Sequence, residues 1–248
     1  MLLVLTYHRI VENPYDINGF FDVCAGELEA HVQTALQIWG KGATPADLQN
    51  EQRERSNTCR GFLMTFDDST ADHYFTAAPL LERHGVRGVF FVNTAHLGAD
   101  GYLTLAQCQE LQARGHAIES HAHLHKPLVG LPEEQLRSQL SESRQRLCDN
   151  GLGQWSLFAP PGGFYDAAVV EAARTCGYRS LRTVKWGYNK RLNPFAVESI
   201  IINRRTAGGW FRLMASPNAE AAKKAVFRVK ETVKNGLPSV YSFLRNFL

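Results

Sequence analysis

The sequence has no Cys-x-x-Cys pair. Its five cysteines, Cys24, Cys59, Cys108, Cys148 and Cys176, are odd in number and scattered, and free thiols in a reducing compartment are the simplest reading. It has no apolar run near the roughly 18 residues of a membrane span. Met1 to Leu5 is too short for the core of a signal peptide and lacks a basic start. Tyr7-His8-Arg9 follows at once, so the segment reads as a first strand. Together these absences predict a cytoplasmic protein. Strong charge of one sign is also missing. The net charge is +3 and the pI is near 8.6, without the concentrated basic stripe that nucleic acid usually requires. There is no internal repeat and no low-complexity segment. What is present is 248 residues, 44% hydrophobic, ample for a sizeable core. One domain is the natural count, since α/β barrels commonly reach this length as a single unit.

The chain is organised around Phe62-Leu63-Met64-Thr65-Phe66-Asp67-Asp68. An apolar run that ends in two carboxylates is how a buried parallel strand delivers polar groups to a rim. Neighbours in an extended chain point to opposite sides, so the two acids share a task only if the backbone turns there. One can face a metal while the other faces a reacting water. The second cluster is Ser120-His121-Ala122-His123-Leu124-His125, after the short apolar stretch His116-Ala117-Ile118. His121 and His125 stand four apart, a spacing at which neutral imidazoles converge on one cation. Asp68 would complete a three-ligand site of the kind that keeps positions open for water and substrate.

Between and beyond these clusters, strand-like and helix-like runs alternate. Leu28, Val32, Ala35, Leu36 and Trp39 form a helical stripe. Thr44-Pro45 starts a short helix, and residues 49–60 read as a surface loop. Helices are predicted over 74–84, from Thr104 to before Gly115, over 132–150 and over 166–176. Strands are predicted over 86–92, 117–120, 157–158, 178–184 and 198–203. The alternation argues a parallel α/β fold, which gathers its chemistry at the carboxyl ends of its strands.

Thr65-Phe66-Asp67-Asp68 and His121-Ala122-His123-Leu124-His125 resemble the first two motifs of the polysaccharide deacetylases, the carbohydrate esterase group with the nodulation-deacetylase homology domain. Phe158-Ala159-Pro160-Pro161-Gly162-Gly163-Phe164-Tyr165 resembles the third, a groove wall rich in Pro and Gly. The resemblance spans roughly residues 1–206. It implies a distorted (β/α) barrel of about seven parallel strands; residues 207–248, beyond the resemblance, read as a C-terminal helical extension packing on the barrel or a membrane surface. It implies Asp67 as general base and one divalent ion on Asp68, His121 and His125. Zinc suits two imidazoles and one carboxylate, with cobalt or nickel as substitutes. Pro161, Gly162, Tyr165 and Trp186 would bind substrate. The Gly162 N–H would hold the oxyanion, and the two aromatics would either stack on a sugar ring or simply pack. The implied activity is removal of N-acetyl groups from an amino sugar or glycan. Alternatives are hydrolysis of another non-peptide C–N bond, in a small amide or cyclic imide, and a degenerate homologue that only binds glycan.

The sequence departs from the family pattern in three places. No histidine follows His125, so the late histidine that protonates the leaving amine is missing. One branch, similar to the enzymes that trim poly-N-acetylglucosamine, carries that motif at the front. Leu5-Thr6-Tyr7-His8 resembles that arrangement and makes His8 the general acid. Ala159 stands where an Arg usually orients the base, and Leu181 to Trp186 supplies the Trp of the fourth motif but no acid. Some other group must then hold Asp67. His123 is expected to point away from the site, and His31, His73, His84, His96 and His116 to be structural or surface residues. After Ala221, basic residues interleave with apolar ones. This tail either packs as a final helix on the barrel or lies on an anionic membrane at its inner face, where a lipid-linked sugar would be found.

Overall fold

The computed structural model describes residues 1–48 and 60–219. The loop expected over 49–60, but for Arg60, and the basic tail lie outside the described residues. Strand β1 (Leu2–Tyr7) is followed by a small parallel pair, β2 (Ile10–Val11) and β3 (Val23–Cys24), which brackets a loop. Helix α1 (Ala25–Trp39) starts where the Glu27 carboxylate accepts the Cys24 N–H and stops at Gly40. Its buried stripe is Leu28, His31, Val32, Ala35 and Trp39. Then come β4 (Gly61–Phe66), one π-helical turn (His73–Ala77) running into α2 (Ala78–Arg83), and β5 (Gly88–Val92). Helix α3 (Leu105–Ala113) opens on a Thr104–Gln107 capping box and leads to β6 (Ala117–Ser120). The rest is α4 (Glu133–Asp149), β7 (Leu157–Phe158), α5 (Ala167–Thr175, capped by Asp166), β8 (Ser180–Leu181), β9 (Ile200–Ile201) and α6 (Phe211–Ala215).

Seven strands form one parallel sheet in the order β8-β7-β6-β5-β4-β1-β9, curled through about 230° into a half-barrel. Both faces of the long strands are buried, as a sheet covered on both sides requires. Leu2, Val4, Leu63, Val89, Phe91, Ala117 and Leu157 fill one face. Leu3, Leu5, Met64, Phe66, Phe90 and Ile118 pack on the other with α1 and its neighbours. First and last strands are adjacent, as a barrel demands: β1 pairs with both β4 and β9. The strands expected over 178–184 and 198–203 shrink to two residues each. The Arg182 N–H still donates to the Phe158 carbonyl of β7, but Arg182 also bridges to Val197, and the Thr183 N–H goes to the Val197 carbonyl. Residues 207–219 continue the same core: Phe211 stacks on His31 at 3.8 Å, and Trp39 donates to the Ala215 carbonyl. Among the described residues no helix is long and apolar enough to cross a membrane.

Candidate active site

The two acids leave β4 through a turn in which both Asp68 (φ 76°) and Ser69 (φ 63°) are left-handed. Such conformations cost of order 1–3 kcal/mol each and persist only where surrounding bonds enforce them. Here Ser69 Oγ accepts the Asn93 N–H at 2.7 Å and the Ser69 carbonyl accepts the Leu103 N–H at 2.8 Å. The turn separates the neighbours. Asp67 is buried, and Arg182 Nη2 lies 2.5 Å from each of its carboxylate oxygens. Asp68 turns to the rim.

The histidine loop repeats the device. His121 follows β6 and donates its N–H to the Val92 carbonyl, and Ala122 is left-handed (φ 63°). His121 Nδ1 lies 2.7 Å from the Ala159 carbonyl. A carbonyl only accepts, so that nitrogen carries the proton and Nε2 keeps its lone pair. Asp68 Oδ1 faces His121 Nε2 at 3.4 Å and His125 Nε2 at 3.1 Å. The ligand atoms of Asp68, His121 and His125 all lie within 4.8 Å of one another. Asp68 Oδ1 is buried with no hydrogen-bond partner among the described residues. One carboxylate and two imidazoles converging in this way fit a divalent cation. Burial would raise the Asp68 carboxyl, and the two facing imidazoles outweigh it, holding it far below the usual carboxylate range. The Asp68 carboxylate in turn raises His125 against its partial burial.

His8 reaches the same rim through strand register. Tyr7 pairs with Phe66, and the Asp67 N–H donates to the Tyr7 carbonyl at 2.9 Å, so His8 follows at the level of Asp67. The His8 carbonyl accepts from His73 Nε2 at 2.9 Å, and His8 Nδ1 is buried without a partner among the described residues. Burial lowers the His8 pKa and outweighs the opposing pull of Asp67 and Asp68. Pro161–Gly163 forms a single 3-10 turn with Pro161 buried and Gly162 exposed. Gly163 (φ 73°) packs so closely that a Cβ there would fall 2.4 Å from Val184, which leaves glycine as the residue that fits.

With the site in view, known proteins can be compared. The polysaccharide deacetylase family model matches residues 54–181. The chain belongs to the polysaccharide deacetylase family. It is 29% identical over 215 residues to the YxkH protein of Bacillus subtilis (strain 168), covering 85% of this chain and 74% of that one. It is 26% identical over 142 residues to the peptidoglycan-N-acetylglucosamine deacetylase of Bacillus cereus, covering 56% and 63%. Its fold matches the Streptococcus pyogenes deacetylase PplD, solved in complex with acetate, with a TM-score of 0.74 at 21% identity over 89% of this chain and 96% of that one.

Within this deacetylase chain, the structure brings Asp67, Asp68, His121, His125 and His8 to one rim. Tyr165 and Trp186 both have packing contacts. Tyr165 packs against the cluster of α4 and α5 that includes Leu136 and Val169. Trp186 stands edge-on to Tyr188, which stacks over Trp39, and the chain then pairs Asn189 with Leu2 at the amino end of β1. His123 turns away from the triad, with Nδ1 on Thr94 Oγ1 and Nε2 3.2 Å from Glu142. His31, read as structural, is buried between Tyr7 and the Ala207 carbonyl.

Two residues went unseen in the sequence. Arg182 fills the role left open at Ala159, reaching Asp67 from the end of β8 instead of the end of β7. Tyr178 to Val184 carries two arginines, Arg179 and Arg182, so the sequence alone did not single out the one whose buried guanidinium demands a carboxylate. Asn93 ties the two motifs together. Its N–H goes to Ser69 and its side-chain amide to the His121 carbonyl at 2.5 Å. Nothing in the local sequence marked it.

Proposed function

We propose that this chain is a metal-dependent hydrolase that removes N-acetyl groups from an amino-sugar glycan. The observation that carries this reading is the division of labour at one turn: Asp67 locked by Arg182, and Asp68 facing two histidines. A divalent ion on Asp68, His121 and His125, zinc by donor type with cobalt or nickel as substitutes, would supply Lewis acidity toward a water and the acetyl carbonyl. Asp67, aimed by the Arg182 guanidinium, takes the proton of the attacking water. The exposed Gly162 offers its N–H to the developing oxyanion. His8, at the level of Asp67, gives a proton to the leaving sugar amine. The similarity to a peptidoglycan-N-acetylglucosamine deacetylase supports an N-acetylglucosamine-type substrate. The unpaired thiols of Cys24, Cys108, Cys148 and Cys176 support a cytoplasmic setting for the reaction.

The test is acetate release from N-acetylglucosamine oligomers, with metal content measured on the same samples. Wild-type protein is expected to release acetate and to lose that activity to a chelator. His125→Ala should lose both metal and activity, while Asp67→Asn should keep the metal and lose most turnover. Tight stoichiometric metal in His125→Ala would overturn the ligand assignment. Equal metal and equal rate in the Asp67→Asn and Asp68→Asn variants would overturn the two roles.

A further inference from the structure

The loop between β2 and β3 carries two aromatic rings that the reaction above does not use. Phe20 is 49% exposed and Phe21 is 40% exposed, although both are large apolar side chains beside a catalytic rim. The Phe21 ring stacks on the His8 imidazole, with centroids 4.6 Å apart and planes 28° apart. Phe20 meets Phe21 edge to face at 5.1 Å. The pair is held by construction. Asp22, only 5% exposed, takes the N–H groups of Asn18 and Gly19 and the guanidinium of Arg9 on one carboxylate oxygen. The Phe20 carbonyl accepts the Arg204 N–H at 3.0 Å. A Cβ at Gly19 would fall 2.6 Å from Asp22 Oδ1, so the turn closes tightly on its own carboxylate. Exposed aromatics on a loop fixed by a buried acid form a preorganised surface, which costs little ordering entropy when a ligand arrives.

We propose that Phe20 and Phe21 form a sugar-stacking platform that binds the glycan on the leaving-group side of the site. This rests on the function proposed above and names its subsite. If His8 protonates the amine, the ring bearing that amine sits against His8, and the surface continuous with His8 is Phe21. A pyranose presents a face of C–H bonds, which suits an aromatic plane flanked by polar groups. Phe20, one ring further out, takes the neighbouring sugar. Two rings are too small an apolar area to hold the protein on a membrane, and their continuity with the catalytic rim favours the glycan.

The experiment uses the full metal-loaded chain and N-acetylglucosamine oligomers of two to five units. Oligomer binding is measured by calorimetry in the Asp67→Asn background, which separates binding from turnover. Phe20→Ala is expected to weaken pentamer binding about tenfold and dimer binding less, and Phe20→Trp is expected to keep it. In the active enzyme, Phe20→Ala should raise KM for the pentamer about tenfold while kcat moves less than threefold. Equal pentamer affinity with and without the Phe20 ring overturns the platform, as does absence of oligomer binding altogether. Loss of binding to phosphatidylglycerol vesicles with no change in oligomer affinity also overturns it, in favour of a membrane contact. Ring-dependent binding without acetate release from wild type would keep the platform and sink the catalytic reading.

Discussion

Strands β1, β4, β5 and β6 run six, six, five and four residues, while β7, β8 and β9 run two each. The long-strand half delivers the proposed base, the triad and His8 from the ends of regular, fully buried ladders. The short-strand half has little ladder and acts through single side chains. Glu119 on β6 accepts the Trp155 N–H at 3.0 Å and the Leu157 N–H at 2.7 Å, where β6 and β7 share only the Ser120–Phe158 pair. Arg182 crosses from β8 to Asp67. Main-chain pairing builds one half, and two buried ionisable side chains, Glu119 and Arg182, stitch the other half to it. The reacting groups thus come from the rigid half, and their orientation depends on the less regular one.

The largest effect should come from cutting the Arg182 stitch. Arg182→Met leaves Asp67 buried without its cation, a change that typically costs about 3–5 kcal/mol. Deacetylation is expected to fall on the order of a thousandfold with metal content retained. Arg182→Lys should recover part of the rate, because an ammonium restores charge but not the planar guanidinium geometry. A rate within threefold of wild type in Arg182→Met would show that the long-strand half positions its base unaided.

His8→Ala stays within the long-strand half. It should slow amide hydrolysis on the order of a hundredfold, the usual size of general-acid help. An acetate ester with a good leaving group needs no such proton and should suffer less. Equal losses on amide and ester would remove His8 from the acid role.

The smallest effect concerns the Glu119 stitch. Burial pushes this carboxyl up to about 8, against the pull of the Leu157 and Trp155 N–H groups. Its folded value lies above its unfolded one, near 4.5. The stabilising contribution of its protonated form is therefore full below about pH 4.5 and is lost as pH rises toward 8. Thermal midpoints should decline across that window by an amount worth a few kcal/mol at most. Glu119→Gln, which cannot ionise, should flatten the decline. An unchanged pH slope in that variant would show that Glu119 is already solvated when the protein is folded.

The same contrast explains what could be read from the sequence. The parallel half-barrel was legible because long buried strands print as apolar runs, and Phe62 to Asp68 shows both the strand and its rim. The spacing of His121 and His125 pointed to the cluster they form with Asp68, and Tyr7-His8 pointed to the proposed acid through resemblance. Tyr178 to Val184 looked like one strand and is two residues of ladder, because Arg182 and Thr183 turn to Val197 and Asp67. A side chain that pairs across 115 positions leaves no local pattern to read. Trp186 could not be decided for the opposite reason: an aromatic near a motif has the same letter whether it faces a sugar or Tyr188.

The place of β1 in the sheet also bears on how the chain is made. One edge of β1 is completed by residues 61–66 and the other by residues 200–201. On a ribosome the first of these partners emerges well before the second, with four other strands of the sheet made between them. Until then the strand keeps one row of amides and carbonyls unpaired, the kind of edge that recruits other chains. The strand that sets His8 in place is therefore made before the segments that enclose it, so translation speed and chaperone access between residues 66 and 200 should govern how much folded protein a cell recovers.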